Sequence, residues 1–217
     1  MLNRFKKYLT YVDVKLKRDT PLQILYHALN AIGICIQPFY IMKEGLFADV
    51  NPYELPHLRS YTVIWFDRGD MGRIAALPDR NTPVKEMAAR LDHGDLCLAV
   101  VDNDRVVAFT WCNLTWCDYP GYRFRLADDE AYLYDAHTAA AYRGMGVAPF
   151  IRYRLYEELA LVGRTQLYSF TERFNQAAIR FKQKLNSRIV DTGLFIQLFG
   201  RWSVSHCRCH YKHIIRQ

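Results

Sequence analysis

The chain of 217 residues lacks an apolar run long enough to cross a bilayer. Its most apolar stretch, residues 28–42, is interrupted by Asn30, Gln37 and Pro38, and falls short of the roughly 18–20 residues a span requires. The start is basic, but no apolar h-region follows it closely, so no secretory signal is read there. Cysteine is sparse: Cys35, Cys97, Cys112, Cys117, Cys207 and Cys209. A chain of this length buries a core without a disulfide scaffold. Cys97 and Cys112 sit in apolar runs and read as small buried hydrophobes, so reduced thiols and a cytoplasmic protein are expected. Repeats and low-complexity tracts are missing too. Hydrophobic residues at 51% against 24% charged exclude a disordered chain.

What is present begins with charge. Lys and Arg number 29 against 22 acidic residues, a formal net charge of +7. That excess favours nucleic acid, anionic lipid or a polyphosphate cofactor without choosing among them. Within residues 1–19, Phe5, Leu9, Val12 and Leu16 fall at helical spacing beside several lysines, which suggests a basic amphipathic helix. Val12, Val14 and Leu16 also alternate, which leaves a strand open. Thr20-Pro21-Leu22-Gln23 has the form of a capping box with proline at the first helical position, and predicts a helix to about residue 31. Residues 32–42 read as a strand. Residues 47–60, with Pro52 and Pro56, read as a linker. This divides the chain into a basic extension, 1–60, and a main domain, 61–217.

From residue 61 strands and helices alternate. Strands are expected at 61–66, 96–101, 106–111, 130–138, 166–171, 187–199 and 202–214. Asp102-Asn103-Asp104-Arg105 forms a compact hairpin turn. Asp70 caps a short helix to Leu77, and Thr82-Pro83 opens another ending near Gly94. Residues 116–129 read as a polar, aromatic loop. Residues 146–162 form an amphipathic helix with Ala148, Ile151, Leu155, Leu159 and Val162 on one face. Asn175 caps the last helix, with Phe174 and Ile179 as a hydrophobic staple.

The most informative segment joins the strand at 130–138 to the long helix. It carries Tyr142-Arg143-Gly144-Met145-Gly146-Val147-Ala148. The first amides of a helix have no partner inside it and point outward with the positive end of its dipole. Gly144 and Gly146 let backbone approach an oxygen-rich ligand, and Arg143 adds a guanidinium suited to phosphate.

Here the sequence resembles the GNAT acetyltransferase superfamily. Its acyl-CoA signature is Arg or Gln, two residues, Gly, one residue, then Gly or Ala. Arg143, Gly146 and Ala148 match that spacing, and Asn175 with Ala178 matches the opening of the family's next helix. The resemblance covers about residues 61–200. It implies an α/β fold: a mixed, mostly antiparallel sheet of six or seven strands with helices on both faces, to which the N-terminal helix and strand read above are added. It implies that the amides of Gly144, Met145, Gly146, Val147 and Ala148 hold the pyrophosphate of acetyl-CoA or another acyl-CoA. It also implies that backbone from Asp135 through Ala136 and His137 to Thr138 lines the pantetheine arm. The strands at 131–138 and 166–171 should splay to admit the thioester.

Amide formation from a thioester needs a neutral amine, a donor to the developing oxyanion and a proton for the leaving thiolate. The donor is expected to be a backbone amide near Ala136–Thr138. Candidate bases are Asp135 and His137, with Glu130 and Glu172 nearby. Asp135 and His137 lie two apart on a strand and so share a face; the alternative reading is a hydrogen-bonded structural pair. Many family members protonate the thiolate with a tyrosine on the last helix, where this chain has Lys182. A buried lysine of lowered pKa would serve, as would Tyr168 or Tyr132.

The acceptor implied is a small-molecule amine: an amino sugar, amino acid or polyamine. Two other readings stay open. One is a catalytically silent binding or regulatory module. The other is a long-chain N-acyltransferase at a membrane surface, motivated by the basic start. A homodimer, and weak docking of the N-terminus on a partner or on the inner membrane face, also stay open, whereas nucleic acid is not expected. His206, Cys207, Cys209, His210 and His213 are zinc-binding residue types, but strand alternation separates His206 and His210 from Cys207 and Cys209, so no metal is expected. The aromatic stretch around Trp116, Tyr119, Tyr122 and Phe124 is a candidate acceptor cover, with Arg123 and Arg125 as anion holders.

Overall fold

The computed structural model describes residues 29, 32–45, 55–120 and 122–207. The helix read at 1–19, nearly all of the helix at 20–31, most of the linker and the cluster beyond Cys207 lie outside the described residues.

Eight strands form one sheet in the order β10-β9-β1-β8-β7-β4-β3-β2. They are β1 (Ile34–Glu44), β2 (Thr62–Phe66), β3 (Leu96–Asp102), β4 (Arg105–Asn113), β7 (Glu130–Thr138), β8 (Gln166–Glu172), β9 (Arg188–Leu198) and β10 (Trp202–Cys207). Among the described residues only β7 and β8 run parallel; every other neighbouring pair is antiparallel. A separate hairpin pairs β5 (Trp116–Tyr119) with β6 (Tyr122–Arg125). The expected architecture is present: seven strands from residue 62 on and the added N-terminal strand, β1. β1 lies inside the sheet, between β8 and β9, and pairs with both. Gly193 of β9 faces Phe39 of β1, and a Cβ there would come within 2.2 Å of the ring.

Strand alternation sorts the core onto two faces. On β3, Leu98 and Val100 pack on one side with Val147, Ile151, Leu155 and Leu159 of α3 (Val147–Leu161). Cys97, Ala99 and Val101 pack on the other with Met71 and Ile74 of α1 (Met71–Ala75) and Met87 of α2 (Val84–Asp92). The last helix, α4 (Gln176–Lys184), lies on the α3 side, where Phe181 joins the same cluster. The stripe of α3 differs from expectation at both ends. It starts at Val147, and Val162 is the exposed C-cap.

The segment read as a loop at 116–129 is the β5–β6 hairpin. Cys117, Tyr122 and Phe124 sit over Phe39, Ile41, Tyr132 and Phe195 on the α1–α2 face of the sheet. Burying aromatic surface outweighs the polar look of the segment. Among the described residues, no helix is long and apolar enough to cross a membrane.

Candidate active site

The parallel pairing of β7 with β8 covers three rungs, Glu130↔Gln166, Ala131↔Leu167 and Tyr132↔Tyr168. Beyond them β7 continues to Thr138 against β4 alone, and β8 continues against β1 alone. The facing edges of the two strands therefore part after Tyr132 and Tyr168. Within the free stretch β7 bulges. Phe109 opposes His137 and Trp111 opposes Tyr134, so Thr110 faces both Asp135 and Ala136. Asp135 takes the left-handed conformation, φ 45°, a local kink of the kind that re-aims side chains beside functional sites.

Above the parting strands the chain makes a one-turn helix, Ala140–Tyr142, and then enters α3. Gly144 and Gly146 have φ of 82° and 80°, which side chains disfavour. A Cβ on Gly144 would meet nothing within 4 Å, so the turn is open on that side. The Phe150 amide donates to the Gly146 carbonyl at 3.2 Å. Among the described residues, the amides of residues 144–148 have no acceptor in hydrogen-bonding geometry. They are the orphan donors of a helix start, and α3 is fifteen residues long. His57 Nε2 donates to the Met145 carbonyl at 2.9 Å and steadies the turn from outside.

Arg143 lies across the end of β7, its Nε donating to the Thr138 carbonyl at 3.0 Å. Its Nη2 pairs with Asp79, in the turn between α1 and α2. The other Asp79 oxygen accepts from His137 Nε2 at 3.2 Å. Burial alone would raise the Asp79 carboxyl; the His137 hydrogen bond and charge, then Arg143, outweigh it and hold the group below its ordinary value. Next to it, Arg80 pairs with Asp135, and Arg90 of α2 reaches the same carboxylate at 2.6 Å. His137 stacks on Phe109, over which Arg80 also lies. Asp135 and His137 thus share the α1–α2 face as expected, but each has its own partner set.

On the opposite face, Lys182 of α4 is buried against β8. Its Nζ donates to Ser169 Oγ at 2.7 Å and Thr171 Oγ1 at 2.5 Å, and lies 3.3 Å from Glu44 at the end of β1. Arg152 of α3 approaches the same carboxylate at 3.4 Å, and Tyr156 donates to it at 2.6 Å. Ser169 bonds it as well. Burial would raise the Glu44 carboxyl, but Arg152, Lys182 and the two hydroxyls hold it down at about 2. Burial, with Arg152 beside it, lowers the Lys182 ammonium to about 8 despite Glu44.

The remaining sequence candidates divide. Tyr132 and Tyr168 form the last rung before the strands part, both buried; burial pushes the Tyr132 hydroxyl well up. Glu130 accepts from the Ala127 amide at 2.9 Å and Glu172 from Gln37 at 2.6 Å. Asn175 caps its own helix by accepting from the Ala178 amide at 3.1 Å. The Val147 side chain is core. Arg123 covers the Trp116 ring on the outer face of the hairpin. Sequence reasoning missed Asp79, His57 and Glu44. Asp79 sits in a turn and His57 in a one-turn helix, Pro56–Leu58, both too short to show periodicity. Glu44 had a signal, an acid closing a mostly apolar strand. Among the described residues, no group of three or more His, Cys, Asp or Glu is arranged to hold a metal.

Known proteins bear on this arrangement. No curated protein matches the chain. Among solved structures, a GNAT-family protein of Novosphingobium aromaticivorans superposes with a TM-score of 0.55 at 18% identity, over 76% of this chain and 66% of that one. A GNAT-family acetyltransferase of Colwellia psychrerythraea gives 0.55 at 14% identity, over 81% of this chain and 61% of the other. At those identities the likeness is one of fold. This chain spans less than two thirds of the Colwellia structure and about two thirds of the Novosphingobium one. The family model described as "Acetyltransferase (GNAT) family" matches residues 59–186. That match takes in the parting strands, the two-glycine turn and both helices behind them, and the chain belongs to the GNAT acetyltransferase family.

Proposed function

We propose that the chain transfers an acetyl group from acetyl-CoA to the primary amine of a small molecule, such as an amino sugar, an amino acid or a polyamine. Acetyltransferases of this family use acetyl-CoA. The observation that carries the reading is the parting of β7 and β8 directly below a helix start whose amides have no acceptor among the described residues. The residues fit such a donor: five amides and an arginine for the pyrophosphate, open space beside Gly144, and an unpaired strand edge for the pantetheine arm.

The catalytic roles follow from the two faces. On the α1–α2 face, Asp79 accepts from His137 Nε2, which makes Nε2 the protonated nitrogen and leaves Nδ1 a lone pair. His137 takes the proton of the incoming ammonium there. Asp135 is already held by two guanidiniums, so its part is to fix the α1–α2 turn over β7. A backbone N–H of β7 near the bulge meets the charge developing on the thioester oxygen. On the α4 face, Lys182 supplies the proton for the leaving thiolate through the Thr171 hydroxyl. A value of about 8 suits a donor working near neutrality.

The test is turnover of acetyl-CoA with a panel of amines by wild type and His137→Gln, which keeps a hydrogen-bonding side chain. The expected result is a drop in kcat of about 100-fold or more, with KM for acetyl-CoA little changed. An equally active variant removes the role of His137. A wild type that acetylates no amine removes the reading.

A further inference from the structure

The Asp79–Arg143 contact sets two claims on one guanidinium. Arg143 flanks the turn with the orphan amides and is 56% exposed. Its Nε is fixed on the Thr138 carbonyl, so the outer nitrogens are the part of the side chain free to choose a partner. In this structure they have chosen a carboxylate that belongs to the protein. That carboxylate is delivered by a turn held independently of Arg143. Arg80, the next residue, grips Asp135, and Asp79 itself keeps His137. Withdrawing Arg143 would leave the turn in place and Asp79 still hydrogen-bonded.

We propose that Asp79 is an internal counter-anion which the phosphates of the incoming acyl-CoA displace from Arg143. It weakens binding of the nucleotide end and, once displaced, gives its charge to His137 alone. The inference rests on the acyl-CoA reading above and adds a positioning residue to it. Its physical content is an exchange of one oxyanion for another at the same guanidinium. A carboxylate brings one charge and the pyrophosphate more than one, and the pyrophosphate also finds the helix-start amides. The exchange therefore runs toward the ligand, less the energy of the pair that is broken. A partly exposed ion pair of this kind is modest in strength, which makes the exchange reversible. The same step links the two ends of the site: occupancy at the turn changes which charges face the base.

Calorimetry separates this from a merely structural Asp79. The ligands are CoA and pantetheine, which lacks the phosphates. The proteins are wild type, Asp79→Asn, Asp79→Glu, Arg143→Ala and the double variant Asp79→Asn/Arg143→Ala. Asp79→Asn keeps the shape and removes the charge, and is expected to bind CoA about 2- to 5-fold more tightly. Pantetheine affinity stays unchanged, Asp79→Glu restores wild-type affinity for CoA, and the Asn substitution adds nothing once Arg143 is gone. Weaker CoA binding by Asp79→Asn, or an equal shift for both ligands, overturns the proposal. So does unchanged CoA affinity in a variant whose melting curve matches wild type. If wild type binds CoA and only the Asp79 prediction fails, the acyl-CoA reading stands without it. If wild type binds no CoA, both fall.

Discussion

Glu44 and Asp135 are each flanked by two cations, yet their surroundings make them different devices. Glu44 is fully buried between Arg152 and Lys182 and ties β1 to α3, α4 and β8. Asp135 lies between Arg80 and Arg90 with its side chain 17% exposed, at the mouth of the parting strands. Where water is excluded, a charge cannot change partners without leaving another uncompensated, so the arrangement is fixed. Where water reaches, partners exchange at modest cost. The buried cluster holds the fold around the fork, and the partly exposed one, with Asp79 and Arg143, is where ligand charge can enter.

Paired substitutions sharpen that contrast most. Glu44→Gln leaves two buried cations facing no carboxylate among the described residues, and is expected to cost about 3–5 kcal/mol of stability. Asp135→Asn keeps partial solvation of its arginines and is expected to cost about 1–2 kcal/mol. Urea unfolding of both variants reads the difference; equal losses would erase the distinction drawn here. Exchanging Glu44, Arg152 and Lys182 together for methionine should recover most of the larger loss, because burial of a complete ion cluster and of apolar groups are close in energy.

A smaller effect lies in the pH dependence of the buried cluster. Glu44 titrates at about 2 in the fold against an ordinary 4.5, so its contribution is complete above about 4.5 and is lost as pH falls toward about 2. Lys182 titrates at about 8 against 10.5. Between those values the unfolded chain binds the proton and the folded chain does not, so this group makes stability rise with pH from about 8 to 10.5. Unfolding midpoints of wild type and Lys182→Met across that range should diverge, with wild type gaining. Parallel curves would mean that Lys182 keeps its ordinary affinity for protons.

The same contrast explains what could be read from sequence. The strand at 130–138, the two glycines, the long helix and the Asn175 cap are local features. Each is dictated by spacing and capping within a few residues, and each lies where spacing put it. Even Asn103 and Asp104, in the turn after β3, take the positive φ that a two-residue hairpin demands. The place of β1 was not legible. A strand's neighbours depend on pairing across more than a hundred residues, and its sequence records only that it is a strand. The β5–β6 hairpin was missed although Cys117, Tyr122 and Phe124 alternate with polar residues, because each run is only four residues long. The bulge at Asp135 and the partners of Asp79 are tertiary facts. A lone acid in a turn carries no signal until the fold brings Arg143 and His137 to it.

The central claim, that the two-glycine turn after β7 is an acyl-CoA site, is tested most directly by calorimetric titration of acetyl-CoA and palmitoyl-CoA into wild type and Arg143→Ala. The account predicts saturable binding of acetyl-CoA by wild type, weakened about 10-fold or more by the substitution, with an unchanged melting temperature because the Arg143 side chain is largely exposed. Absence of saturable binding, or equal binding by both proteins, would contradict it, and a preference for palmitoyl-CoA would replace acetyl transfer by long-chain transfer.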